Sequence, residues 1–174
     1  MLDVAVSYSR YKFLGNEFLT WLWFAIDNRM AIPKNPDTQP TELQVGNRMV
    51  LENYRNEAVE RVTIRGDQAG LEEGKLALRK GAVVTEVNLI CKSGHEEWQF
   101  TIKGESLNLS GLKTPETGPV EAGEEIEGRA LESVYLIERA VALVSKLYEE
   151  FIELRIGDTW ESDAAAGIRR WIAA

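Results

Sequence analysis

Cys91 and His95 are the chain's one cysteine and one histidine, four residues apart, a separation that raises the question of a thiolate working with an imidazole. Nucleophilic catalysis needs the base within hydrogen-bond reach of the nucleophile. Here the alternation of apolar residues places Cys91 on the buried side of a strand and His95 in the turn that follows, so the pair reads as a core thiol and an exposed turn side chain. A zinc centre needs three or four clustered ligands, and neither Cys-x-x-Cys nor His-x-x-x-His occurs. Glu73-Gly74-Lys75 has the Glu-x-Lys spacing with which some metal-dependent nucleases hold a cation and steady the nucleophile, but it falls in a helical pattern with Asp67 as its one suitable acidic neighbour. Glu149, Glu150 and Glu153 lie beside Lys146 and Arg155 and read as ion pairs on a helix surface. Neither Gly-x-Gly-x-x-Gly nor GxxxxGK[ST] is present to cradle a nucleotide phosphate. The expectation is a protein without catalytic residues, metal or cofactor.

Positive charge is the other chemistry to weigh. The net charge is -8 and the pI near 4.9, which argues against a strongly electrostatic binder of nucleic acid. The charge is uneven, however: Glu116 to Glu153 holds ten Glu against Arg129, Arg139 and Lys146, whereas Arg55 to Lys80 holds six basic residues against five acidic ones. Arg61 and Arg65 are four apart on a strand and share a face; Lys75 and Arg79 are four apart on a helix, with Lys80 at its end. These five form the candidate nucleic-acid site. The competing reading pairs Glu72 with Lys75 and lets Glu57 and Glu60 offset the strand arginines.

The elements that position these groups follow from periodicity. Gly15 to Ile26 carries Phe18, Trp21, Trp23 and Phe24. Leu14, Phe18, Trp21, Leu22 and Ala25 share one helical face while Trp23 and Phe24 swing to another, so the helix is covered on more than one side, by its own core or by a partner. Trp21, Trp23 and Phe24 are the candidate interface residues, with a homodimer or another protein as the occupant. Pro33, Pro36 and Pro40 mark a loop. Leu43–Val45 and Met49–Leu51 around Gly46-Asn47 read as a short hairpin, Ala58–Arg65 as a strand, and Gln68–Lys80 as a helix ended by Gly81. The clearest alternation runs through Val83, Thr85, Val87, Leu89 and Cys91, then through Trp98, Phe100 and Ile102, predicting a hairpin with one buried face and a further strand over Leu107–Leu112. From Glu124 the period becomes helical, with Ile137, Val141, Val144, Tyr148 and Phe151 at steps of four and three, and with Leu136, Leu143, Leu147 and Leu154 widening the stripe, ending near Gly157. A last helix spans Ala164 to Ile172, anchored by Ile168 and Trp171.

At 174 residues, 44% hydrophobic and 28% charged, the chain reads as a single domain over 1–174. No apolar run reaches the roughly 20 residues of a membrane span. The opening residues lack the pattern of a secretory signal, and one cysteine excludes an internal disulfide, so a cytoplasmic protein is expected. Asn108-Leu109-Ser110 is then a chance sequon.

The segments FLGNEFLTWLWF (Phe13–Phe24), LALRKGAVVTEVNL (Leu76–Leu89), EEWQFTIKGESLNLSGLK (Glu96–Lys113) and the Glu138-Arg139 to Arg155 part of the long helix resemble the C-terminal half of the recombination-associated protein RdgC family. The resemblance covers about half of a full-length member; the N-terminal portion that helps close the family's ring is missing, and Ala82 stands where Lys is frequent. It implies a nucleoid-associated, sequence-nonspecific DNA-binding protein that forms ring-like dimers and restrains recombinase filaments. Residue pattern and resemblance together predict an α+β fold: a twisted antiparallel sheet packed against a long C-terminal helix and an aromatic-rich N-terminal helix. The rival reading is an acidic protein-interaction module that uses the Trp21–Phe24 surface and no nucleic acid.

Overall fold

Alternating apolar residues in two successive segments build the centre of the molecule. The computed structural model describes residues 4–34, 41–55, 58–66, 68–118 and 126–174. In chain order these form α1 (Val4–Asp27), β1 (Glu42–Arg55), β2 (Ala58–Arg65), α2 (Gln68–Arg79), β3 (Val83–Ser93), β4 (Glu96–Lys103), β5 (Leu109–Lys113), α3 (Ile126–Ile156), a π-helical turn (Trp160–Ala165) and α4 (Ala166–Ala173). Glu124 and Glu125, expected to open the long helix, lie outside the described residues, as do Pro36 and Pro40. The strands form one antiparallel sheet in the order β2-β1-β3-β4-β5.

The β3–β4 register places Val87 opposite Ile102, Leu89 opposite Phe100 and Cys91 opposite Trp98. All six are buried, and with Leu51 and Ile64 they make the inner face of the sheet. The connection is the two-residue turn Gly94-His95, where Gly94 takes φ +61°, the left-handed conformation such tight hairpins demand. Gly81, at φ +90°, ends α2 in a Schellman motif: the Ala82 N–H donates to the Ala77 carbonyl and the Gly81 N–H to that of Leu78.

The expected hairpin at Gly46-Asn47 is not formed. β1 runs through it without reversing, pairing with β3 on both sides of the dipeptide and with β2 from Arg48 to Arg55, and the pairing with β3 slips between Val45 and Met49. The extra residues bulge over Asn88, whose Oδ1 lies 2.0 Å from where a Cβ on Gly46 would sit. Glycine serves here for close approach rather than for reversal.

Each described helix lies on the inner face or on a helix already there. α1 crosses β3. Gly74 of α2 fits against Trp23 and Ile64, where a Cβ would meet atoms at 2.7 and 2.8 Å. α3 is docked on β4 by the Trp98 indole N–H, which donates to the Leu136 carbonyl at 3.0 Å, and by Arg139, which stacks over the same indole at 4.5 Å. That docking shifts the expected stripe toward its Leu136 edge: Leu136, Val144, Leu147 and Phe151 are buried together with Ala140, while Ile137 and Val141 are 44% and 49% exposed. Both sets have helical spacing, and the contact with Trp98 selects the former.

Candidate nucleic-acid interface

The five basic residues singled out by spacing are not brought together. Arg61 and Arg65 alternate with Ile64, so they point to the outer side of the sheet, away from α2. Lys75, Arg79 and Lys80 belong to the helical layer on the other side. Lys75 pairs with Asp27 at 3.2 Å, reaches Glu72 at 4.0 Å and lies 5.2 Å from the centre of the Trp171 ring. Arg79 donates to the Ile172 carbonyl at 2.6 Å. These two tie α2 to α1 and α4. Lys80 is exposed, and its carbonyl accepts from the Asn53 amide.

The outer face assembles a different set. Register places Arg65, Thr63 and Arg61 of β2 beside Arg48, Val50 and Glu52 of β1; beyond them lie Glu86, Asn88 and Lys92 of β3, Glu97, Gln99, Thr101 and Lys103 of β4, and Lys113 of β5. Six basic side chains (Arg48, Arg61, Arg65, Lys92, Lys103, Lys113) thus share the face with four acidic ones (Glu42, Glu52, Glu86, Glu97), a surplus of two positive charges on a protein of net charge -8. Arg48 pairs with Glu86 at 3.2 Å, Arg61 with Glu52 at 2.7 Å and Lys92 with Glu97 at 3.5 Å. Arg65, Lys103 and Lys113 have no ion pair with a described residue.

Between these cations lies an uncharged polar centre. The Asn88 amide donates to Thr101 Oγ1 at 3.1 Å and to the Phe100 carbonyl at 3.2 Å, and the Gln99 amide donates to Asn88 Oδ1 at 3.0 Å. Asn88 and Thr101 are buried within the face, so this network is fixed rather than rearranging. At a strand spacing of about 4.8 Å, β2 and β4 stand roughly 14 Å apart, with cations on both sides of the polar strip. Such a surface can hold a polyanion by its phosphates through the cations that flank the polar strip. Tyr54 is the one aromatic side chain among these outward positions. Its hydroxyl is bound to Glu52, and partial burial followed by that carboxylate pushes its pKa up to about 12. The same carboxylate, through its hydrogen bond, raises the pKa of Arg61.

The signal for this surface lay in the polar half of each alternating strand. Lys103 was legible there; Arg48 was hidden by reading Gly46-Asn47 as a turn.

The other candidates resolve simply. Cys91 is 1% exposed, and burial pushes its thiol up to about 12; His95 is exposed in the turn. Glu73 and Lys75, two apart on a helix, point away from each other, and Lys75 is turned to Asp27. No group of three or more metal-ligating side chains occurs among the described residues. Trp21 and Trp23, proposed as interface residues, are 3% and 0% exposed. Their coverage comes from the chain itself: Trp21 packs on Phe151 at 5.7 Å, Trp23 meets Trp171 edge to face at 4.8 Å, and half-buried Phe24 lies 5.7 Å from Trp171. The second side of the aromatic helix is closed by the last helix, which leaves no indole surface for a partner. No described helix is long and apolar enough to cross a membrane.

The buried thiol carries a pH prediction. The core accepts the neutral form, so the folded pKa of about 12 lies above the unfolded 9.0. Its contribution is full below pH 9 and is lost as pH rises toward 12, by about 1.4 kcal/mol per pH unit. Tyr54 acts in the same direction, but only above 10. Urea unfolding across pH 8 to 10 should show a decline that is shallower in Cys91→Ala; identical slopes would mean that the thiol ionises freely in the folded state.

No protein-family model matches the chain, and no curated protein or solved structure is significantly similar to it.

Proposed function

We propose that the chain is a non-enzymatic, sequence-nonspecific DNA-binding protein, similar to the recombination-regulating RdgC group, that holds the phosphate backbone on the outer face of its sheet. The observation that carries this reading is the trio Arg65, Lys103 and Lys113, cations with no ion pair to a described residue, around the Asn88–Thr101–Gln99 network on the outer face of an otherwise acidic protein. Its contacts would be to phosphate, which accounts for indifference to sequence. The resemblance of the four sequence segments to RdgC proteins supplies the biological setting, a cytoplasmic protein at the nucleoid.

Fluorescence anisotropy with single- and double-stranded oligonucleotides tests the reading. With Arg48, Arg65, Lys103 and Lys113 as contacts, each released counterion contributes about 0.9 to the salt slope, and affinity should fall about 100-fold between 50 and 200 mM salt. The variant Arg65→Glu/Lys103→Glu/Lys113→Glu should abolish binding while leaving the melting temperature nearly unchanged. Arg79→Glu, on the helical side, should leave binding intact. Absence of binding at low salt, or full binding by the triple variant, would reject the assignment.

A further inference from the structure

β1 is longer than the strand beside it, and the difference leaves a strand position vacant. Its pairing with β2 runs from Arg55 back to Arg48 and closes where the Gly66 N–H donates to the Asn47 carbonyl at 3.1 Å. There Gly66 takes φ +107° and the chain turns out of the sheet. Glu42 to Val45 go on pairing with Lys92 to Leu89 of β3, but on the side that β2 has left they have no strand partner among the described residues. A Cβ on Gly66 would meet nothing within 4 Å, so the space where β2 ends is open. A cleft of about 890 Å³ lies here, lined by residues 41–46, by residues 29–34 after α1, by Gly66, and by Trp23, Ile26 and Asp27 of α1. At about 3.3 Å per residue, six residues offer roughly 20 Å of edge.

We infer that this cleft binds an extended acidic peptide of a partner protein, which adds to β1 as a strand in the position β2 vacates. An unpaired strand edge supplies N–H and C=O groups for main-chain hydrogen bonds, and a groove beside it selects among the side chains of the incoming strand. The selection is for acidic residues. Four charged side chains line the cleft, and its two acids are engaged within the chain: Asp27 by Lys75 at 3.2 Å and by the Trp171 indole N–H, Glu42 by the Gln44 amide at 2.9 Å. The two cations, Arg29 and Lys34, are exposed and have no ion pair with a described residue. Lys34 is held in place by its backbone N–H, which donates to Glu150 at 2.7 Å. Between the cations, Met30 is 44% exposed, and with Ile26 it offers apolar surface. Side chains alternate along a strand, so the fitting sequence has acidic residues at every second position and aliphatic ones between them. Arg65, Lys103 and Lys113 do not line the cleft, so this site and the DNA-binding face do not depend on each other.

Fluorescence anisotropy at about 150 mM salt, with the labelled hexapeptides Glu-Val-Asp-Ile-Asp-Val and Lys-Val-Lys-Ile-Lys-Val, tests the site. The acidic peptide should bind saturably and the basic one at least about 10-fold more weakly. Arg29→Glu/Lys34→Glu, at two exposed positions, should weaken the acidic peptide at least about 10-fold without lowering the melting temperature, whereas Arg65→Glu/Lys103→Glu/Lys113→Glu should leave it bound. Hydrogen exchange should show new protection within residues 42–46. N-methylation of alternate peptide amides tests for strand pairing: methylating the set that faces β1 should abolish binding, and methylating the other set should not. No binding of the acidic peptide up to a millimolar, equal binding of the basic one, tolerance of both methylated forms, or protection at the free edge of β2 or β5 instead would overturn the proposal. So would a DNA duplex that displaces the peptide and loses its own binding in Arg29→Glu/Lys34→Glu, since the cleft would then belong to nucleic acid.

Discussion

Phe151→Ala is expected to cost about 3–5 kcal/mol, the range for removing a fully buried aromatic ring. Phe151 is 0% exposed and stands where three elements meet: it contacts Phe18 at 5.6 Å and Trp21 at 5.7 Å on α1, and Trp160 of the π-helical turn edge to face at 5.9 Å. Alanine leaves a cavity whose walls are themselves large and pinned, so the site collapses poorly. Ile137→Ala, measured at dilute protein, should cost less than about 0.5 kcal/mol, because its side chain faces water. Urea unfolding monitored by tryptophan fluorescence distinguishes the two, and equal costs would mean that α3 is rotated from the docking described.

Gly15→Ala should be nearly as damaging for the opposite reason. A Cβ at Gly15 would lie 1.7 Å from the backbone oxygen of Gly104, an overlap that only main-chain movement can relieve. Overpacking commonly costs 1–3 kcal/mol, and a clash with backbone belongs at or beyond the upper end, so about 3 kcal/mol or more is expected. Gly104→Ala should cost less: its Cβ would meet the Asn16 Oδ1 at 2.6 Å, the end of a side chain that can turn. Gly118→Ala, with nothing within 4 Å, is the neutral control. A neutral Gly15→Ala would separate α1 from the β4–β5 turn.

The β3–β4 hairpin was legible because its apolar alternation is uninterrupted and its turn has a glycine, and α2 ends where Gly81 says it must. The path of β1 was not, since Gly46-Asn47 has the composition of a reversal and only the neighbouring Asn88 reveals a bulge. α3 offered two neighbouring stripes of equal periodicity, and the choice between Ile137/Val141 and Leu136/Ala140 rests on Trp98, nearly forty residues earlier in the chain. The aromatic helix declared that it would be covered on two sides, but not that Trp171 would supply the second cover. The cations of the outer face come from all five strands, so local spacing groups Arg61 with Lys75 across a sheet that separates them.

The cover over α1 has a consequence for how the chain is made. The ring contacts of its aromatic residues run to Tyr148, Phe151 and Trp171, more than a hundred residues downstream, so the most aromatic segment is synthesised long before the groups that shield it. At about 5–20 residues per second, Trp23 waits roughly 7–30 s on the ribosome for Trp171. During that interval its exposed indoles are a natural substrate for the chaperones that attend nascent chains.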